Sequence, residues 1–345
     1  MKFALGTSAA SVKAAPLLLV DVLTNEGVVG HSYLFCYTAS GAKAVAAHIA
    51  EAAELARGQP CRPQIIFQNL SRRFALLGVT GPVRMALSAL DVGLWDASAV
   101  AVGKPLAELL GAERRPIPAY DSRGLGLMDP EDLADEAETL LTSGLKAVKL
   151  RLGYASLADD LRALRAVRGR MPSDALVMVD YNQALTTTEA VRRGLALQEE
   201  GIFWLEEPIR HDDYRGSAEI ARALDVPVQI GENFNGPEAM IDAISMHACD
   251  YVMPDVNRIG GVTGWMRAAG IASAHGVEMS SHLVPELSVH LLAATQTAHW
   301  MEYVDWADAI LEEPLELRDG AATAPDRPGI GIAWSEEKIR RLDSI

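Results

Sequence analysis

Polar and ionisable residues recur through the last two thirds of the chain at a regular interval. Ser122, Lys149 with Arg151, Asp180 with Asn182, Glu206, Glu232, Asp255, His282 and Glu302 follow one another at steps of 20 to 31 residues. Each step is about one strand–helix unit long, and each residue closes a β-rich run. Lys149 and Arg151 are two apart in KLRL, so they point to one side of their strand, as do Asp180 and Asn182. Three carboxylates from consecutive strands, Asp180, Glu206 and Glu232, would converge as hard oxygen ligands. A site with few protein ligands and open positions suits Mg²⁺, which keeps waters or takes substrate oxygens. Glu207 competes with Glu206 for the second place. Trp204 and Glu206 share a side of WLEEP, which selects Glu206.

The elements that must position these groups are legible in outline. LLLVDVL (17–23) and VVGHSYLF read as a hairpin joined through Thr24–Gly27, and three helical stretches follow over 42–56, 63–77 and 82–102. Residues 1–110 are thus expected to form an α+β capping domain. Ahead of them Ser8–Ala15 reads as a loop of small residues, and the abrupt start leaves a first edge strand expected upstream of Met1. From Pro116 eight short β-rich runs alternate with helical segments: IPAYDS, KAVKLRL, ALVMVDYNQ, IFWLEEP, VPVQIGEN, DYVMPDV, VEMSSH and HWMEYVDW. This predicts an α/β fold of the modified TIM-barrel type, (β/α)7β, over 111–312, and such barrels place chemistry at the C-terminal ends of their strands. The segment 313–345, with APDRPGIGIAW and a short charged helix, is expected to return to the capping domain.

Composition narrows the class. The 345 residues are 49% hydrophobic and 22% charged, with a formal charge of −15 and a pI near 5.0. Neither nucleic acid nor an anionic membrane surface attracts such a chain. No apolar run is long enough to span a bilayer and no signal peptide is visible, so a cytoplasmic protein is expected. Cys36, Cys61 and Cys249 are odd in number and lack metal-ligand spacing, which reads as reduced thiols. Gly124-Leu-Gly126 and Gly329-Ile-Gly331 sit outside the strand–helix context of a dinucleotide site.

The segments KAVKLRLGY, VDYNQ, WLEEP, GEN, MPDVNRIGGVTGW, SSHL and TAHWMEYVD, in this order, closely resemble the mandelate racemase branch of the enolase superfamily, and the likeness extends from about Pro16 nearly to the C-terminus. The resemblance implies an enzyme that removes the α-proton of a 2-hydroxy carboxylate through an enediolate, with Mg²⁺ on Asp180, Glu206 and Glu232. It implies His282 as a catalytic base oriented by Asp255, Lys149 as the cation facing the substrate carboxylate, and Glu302 as a protonated acid on its other side. Ser122 and Asn182 take the place of substrate-binding groups. A homo-oligomer acting on a small molecule is the matching expectation. Each role is chemically apt, because α-proton removal puts two negative charges on one small fragment and a metal, a cation and a neutral acid all stabilise them.

One position departs from the pattern. The branch carries Lys-x-Lys where this chain has Lys149-Leu150-Arg151. Lowering a lysine from about 10.4 toward 7 costs about 4–5 kcal/mol, whereas an arginine starting above about 12.5 needs at least ~7 kcal/mol. Arg151 is therefore expected to clamp a substrate group or donate a proton poorly, rather than serve as a second base. Phe35, Tyr37, Leu76, Leu283 and Val304 fall where the branch presents apolar groups to an aryl ring, which points to a racemase for an apolar 2-hydroxy acid. A sugar-acid dehydratase using His282 alone is the alternative, and a non-catalytic metal-binding barrel the third reading. The loop Gly6–Ala14 is expected to act as a lid.

Overall fold

The computed structural model describes residues 1, 3, 5–8, 11–12, 14–142 and 144–342. The first ladder is one that the sequence reads as loop: β1 (Leu5–Gly6) pairs antiparallel with β2 (Ser11–Val12). Of the expected lid, Ala9, Ala10 and Lys13 lie outside the described residues. β3 (Leu17–Leu23) and β4 (Val29–Phe35) pair antiparallel in full register. The turn between them is closed by the Val28 amide donating to Thr24 Oγ1 at 3.0 Å, with Gly27 at φ 81°. Among the described residues this hairpin pairs with no third strand.

Three helices cover the hairpin: α1 (Ala39–Ala56), α2 (Pro63–Arg73) and α3 (Gly81–Ala101). Helix α3 is buried along almost its whole length because the hairpin, α1, α2 and a barrel helix surround it. Its approach to the hairpin demands glycine on both sides: a Cβ at Gly30 of β4 would stand 2.0 Å from the Gly93 carbonyl oxygen, and one at Gly93 would stand 2.6 Å from Val22 Cγ2 of β3.

Eight parallel strands then form the barrel: β5 (Ile117–Asp121), β6 (Ala147–Arg151), β7 (Leu176–Asp180), β8 (Leu205–Glu206), β9 (Val228–Ile230), β10 (Tyr251–Val252), β11 (Glu278–Met279) and β12 (Met301–Tyr303). They are neighbours in sequence order, and β12 returns to pair with β5. The ring closes between β11 and β12 through the Met279 amide to Thr297 O at 2.8 Å and the Ser281 amide to Trp300 O at 3.0 Å. At least one helix lies between each pair of successive strands, so the architecture is (β/α)7β with an N-terminal capping domain.

Strand alternation divides the core as it should. Val148, Leu150, Val177, Val179 and Leu205 pack outward in the large core shared with the helices, while Tyr120, Ala147, Met178 and Trp204 form a separate inner cluster. Lys149 and Arg151 continue the Ala147 face, Asp180 the Met178 face, and Glu206 the Trp204 face. The interior stripes thus lead directly to the polar strand ends.

The tail adds β13 (Leu317–Arg318) and β14 (Ala321–Ala322), a hairpin laid antiparallel on the start of β5. It then crosses to the capping domain. Gly329 O accepts from the Leu106 amide at 2.7 Å, the Ile330 amide donates to Asp96 Oδ1 at 2.6 Å, and Trp334 Nε1 donates to Asp21 Oδ1 at 2.7 Å. All three cysteines are free thiols, and no helix among the described residues is long and apolar enough to cross a membrane.

Candidate active site

Three strands carry the carboxylates. Asp180 ends β7, Glu206 ends β8, and Glu232 follows β9 by two residues; one oxygen from each lies within 4.8 Å of the other two. Asp180 and Glu206 are buried. The Asn182 amide and side chain hold Asp180, donating to Oδ1 at 2.7 Å and Oδ2 at 2.8 Å. Trp204 Nε1 donates to Glu206 Oε2 at 3.0 Å, so the shared side of WLEEP is a direct contact. Burial, and then the neighbouring acids Asp180, Glu302 and Glu232, push Glu206 up to about 8 against the lowering effect of Lys149. Glu207, at φ 39°, is not one of the three: it accepts from the Gly231 amide and from Asn233 Nδ2, which also donates to Glu232.

This donor set fits a divalent cation. Three oxygen-bearing, mutually repelling carboxylates lie within reach of one ion and are of the hard type that Mg²⁺ prefers.

On one side of the cluster stands a histidine–carboxylate pair. Asp255 and His282 are bridged as parallel neighbours past the ends of β10 and β11, and His282 Nδ1 lies 2.8 Å from Asp255 Oδ2. Asp255 Oδ1 is occupied by the amides of Asn257 and Arg258, which fixes the carboxylate. Nε2 faces the cluster, 3.4 Å from Glu232 Oε2 and 3.9 Å from Glu302 Oε2. Burial lowers the imidazole's pKa, but Glu232, Glu302 and Asp255 outweigh it and raise it to about 9.

The opposite side holds cations in fixed contacts. Lys149 Nζ lies 2.6 Å from Glu206 Oε1, 2.7 Å from Glu302 Oε1 and 3.7 Å from Asp180 Oδ2. Burial works against its charge, yet those carboxylates hold its pKa well above the ordinary lysine value. Arg151, expected to clamp a substrate group, is held by contacts within the protein. Its fork donates to Gly124 O at 2.7 Å, Ser122 Oγ at 2.9 Å and Ser122 O at 3.4 Å, leaving buried Nε without a partner. Ser122 in turn donates to Glu302 Oε1 at 2.7 Å.

Two further expected site residues have partners within the protein. Glu302, expected as a protonated acid, pairs with Lys149 at 2.7 Å; burial would raise its pKa, but the charges of Lys149 and His282 hold it below the usual carboxylate range. Asn182, at φ 44°, donates its main-chain and side-chain amides to Asp180, and its buried Oδ1 has no hydrogen-bond partner.

The expected apolar set divides. Phe35, Leu283 and Val304 are buried, and Phe35 lies against Trp306 with ring centres 4.7 Å apart, bringing the capping domain onto the end of β12. Tyr37 stacks on Phe35 at 4.3 Å, and Arg258 stands over its ring at 5.1 Å. Leu76 stands apart from them, its side chain wholly exposed just beyond α2.

Arg258 is a residue the sequence reading missed. It donates to Glu232 O at 3.2 Å and to Asn233 Oδ1, tying a cluster carboxylate to the turn that holds Asp255. Its place in MPDVNRIGG, three residues past Asp255, was the available signal.

Comparison with known proteins follows this geometry. Residues 2–111 match the mandelate racemase / muconate lactonizing enzyme N-terminal domain, and residues 132–338 match the enolase C-terminal domain-like family. L-talarate/galactarate dehydratase of Salmonella typhimurium is 32% identical over 94% of this chain and 82% of its own. An enolase from alpha pretobacterium bal199, solved with bound Mg, superposes with a TM-score of 0.96 at 39% identity, covering 99% of this chain and 95% of that one. An enolase from Bradyrhizobium, complexed with magnesium and mandelic acid, gives 0.95 at 39% identity, covering 100% and 95%.

Proposed function

The chain is an enzyme of the mandelate racemase / muconate lactonizing enzyme family, and from that premise we propose that it removes the α-proton of a 2-hydroxy carboxylate with His282 and finishes on that same side, as a sugar-acid dehydratase. One observation carries this reading: His282 turns Nε2 toward the three-carboxylate cluster from one side, while the Arg151 fork on the other side is committed to Gly124 and Ser122.

Asp180, Glu206 and Glu232 would hold Mg²⁺, which supplies Lewis-acid stabilisation of charge on the substrate carboxylate when bound. Asp255 fixes the His282 tautomer with its proton on Nδ1, leaving Nε2 as the acceptor. The α C–H bond breaks, its electron pair stays on the substrate as an enediolate, and the proton goes to Nε2. Lys149 offsets the second negative charge from its buried position. That electron pair then expels the 3-hydroxyl, which takes the proton from His282 and departs as water. The enol left behind tautomerises to a 2-keto-3-deoxy acid, and His282 is neutral again. The dehydratase relative at 32% identity supports this outcome.

Two-base racemisation of an aryl 2-hydroxy acid is the second reading. It is favoured by buried Phe35 beside Tyr37 and by the mandelic acid bound to the Bradyrhizobium neighbour. Incubation with Mg²⁺ and a panel of aldonic and aldaric acids, followed by proton NMR, separates them. Appearance of a 2-keto-3-deoxy product supports dehydration. Inversion of mandelate with no dehydrated sugar acid replaces it with the second reading.

A further inference from the structure

Asp160 lies in the first turn of the helix Leu157–Arg170, on the barrel's flank, and it is completely buried. An isolated buried carboxylate is costly, so its partners report what the protein gains from it. Oδ1 accepts from the amides of Gly153 and Tyr154, at 3.1 and 2.9 Å, in the loop that follows Arg151. Oδ2 accepts from the Tyr181 hydroxyl at 2.7 Å and from Arg193 Nη1 at 2.6 Å. One side chain thus ties the ends of β6 and β7 together, directly beyond Lys149, Arg151 and Asp180.

Three of the tied groups, Gly153, Tyr154 and Tyr181, touch the β1–β2 flap or its seat. Ser8 Oγ donates to Tyr181 O at 3.0 Å, and a Cβ on Gly153 would stand 3.3 Å from that of Ser8. Tyr154 OH donates to Met128 O at 2.6 Å and accepts from the Met128 amide at 3.0 Å. The neighbouring Leu127 amide donates to Gly6 O at 2.8 Å, and Gly126 lies so close to Gly6 that a Cβ would come within 2.4 Å of the Gly6 nitrogen.

We infer that Asp160 is a positioning residue that sets the seat of the β1–β2 flap over the strand ends, and so governs how long substrate is retained, without touching the reacting atoms. The effect on substrate rests on the site proposed above, whereas the effect on the flap does not. Hydrogen exchange followed by mass spectrometry on the full-length protein, without substrate, tests the flap. In Asp160→Ala, peptides covering residues 5–12 and the Leu127 amide should exchange about tenfold faster while those covering β8 and β9 keep their protection. Steady-state kinetics on the substrate identified by product NMR should show KM raised about tenfold with kcat within about twofold. Ser8→Ala, which cuts only the flap's side of the contact, should move both readouts the same way by a smaller factor, and Asp160→Asn should restore part of the loss. Unchanged flap exchange in both Asp160→Ala and Ser8→Ala overturns the inference, as does a fall in kcat with KM unchanged. An altered product assignment would revise the reaction and leave the exchange result standing.

Discussion

The two flanks of the carboxylate cluster are built from the same kind of element, parallel strand ends, yet they are equipped for different work. On the β10–β11 flank, His282 has one nitrogen committed to Asp255 and the other open toward the cluster. On the β5–β6 flank, Lys149 is locked between Glu206 and Glu302, and Arg151 between two main-chain carbonyls and Ser122. Proton transfer needs a side-chain atom that faces the substrate and can both take and give a proton. The first flank presents one, His282 Nε2, held in place by Asp255. The second supplies fixed positive charge, because carboxylates hold Lys149 protonated and a guanidinium does not deprotonate. On the function proposed above, the Lys-x-Arg pair makes the second side of the site an electrostatic wall and leaves proton transfer to the first.

Three substitutions test the two flanks and a buried acid outside them. His282→Asn removes the acceptor and should lower kcat by about 10²–10⁴ with the fold and Mg²⁺ binding retained, since general-base catalysis contributes in that range. Steady-state rates with circular dichroism and metal titration as controls measure it, and activity within tenfold of the parent would remove His282 from its role.

Arg151→Lys acts on the other flank. Loss of the fork to Gly124 and Ser122 should reduce kcat/KM for the native substrate by about tenfold, about the weight of one or two hydrogen bonds to a charged group. The new amine can titrate, so solvent-deuterium exchange should now reach the enantiomer that the parent leaves alone. No gain of exchange would mean that geometry, and not pKa, bars the second base.

The smallest effect contrasts the cluster with a buried acid outside it. Asp91 on α3 accepts from the Thr263 amide at 2.9 Å and its hydroxyl at 2.6 Å, and burial raises its pKa to about 7. The folded state therefore holds its proton more tightly than the unfolded chain does. The stabilisation is full below about pH 4 and is lost as pH rises through about 7. Asp91→Asn should flatten this slope and raise stability at pH 8 by about 1–2 kcal/mol, whether or not a chelator is present. Urea melts across pH 4–8 measure it; an unchanged slope would mean that Asp91 does not titrate in that window.

Much of this molecule could be read from residue spacing alone. The eight barrel strands, the inward faces of Lys149, Asp180 and Glu206, and the side that Trp204 shares with Glu206 follow from the period-2 rule applied to long, regular units. What escaped had no local signature. The β1–β2 ladder has two residues per strand, drawn from a stretch of small residues too short to show alternation. The β13–β14 hairpin is equally short and gains its place from pairing with β5. Asp160 looked like an ordinary acid in a helix's first turn, a position where acids are common for dipole reasons alone. The ion pair of Glu302 with Lys149, 2.7 Å across from a strand over 150 residues earlier, is encoded by no local pattern. Leu76 was grouped with Phe35 on resemblance, while the turn after α2 leaves it in solvent.

The one-sidedness of the site can be tested without knowing the physiological substrate. Mandelate has an acidic α-proton and no 3-hydroxyl to lose, so proton transfer is observed alone. With Mg²⁺ in D₂O, proton NMR and chiral chromatography on each enantiomer separately should show deuterium entering one enantiomer with its configuration kept. Exchange from both enantiomers at comparable rates, with inversion, would contradict the account and make Arg151 a working base.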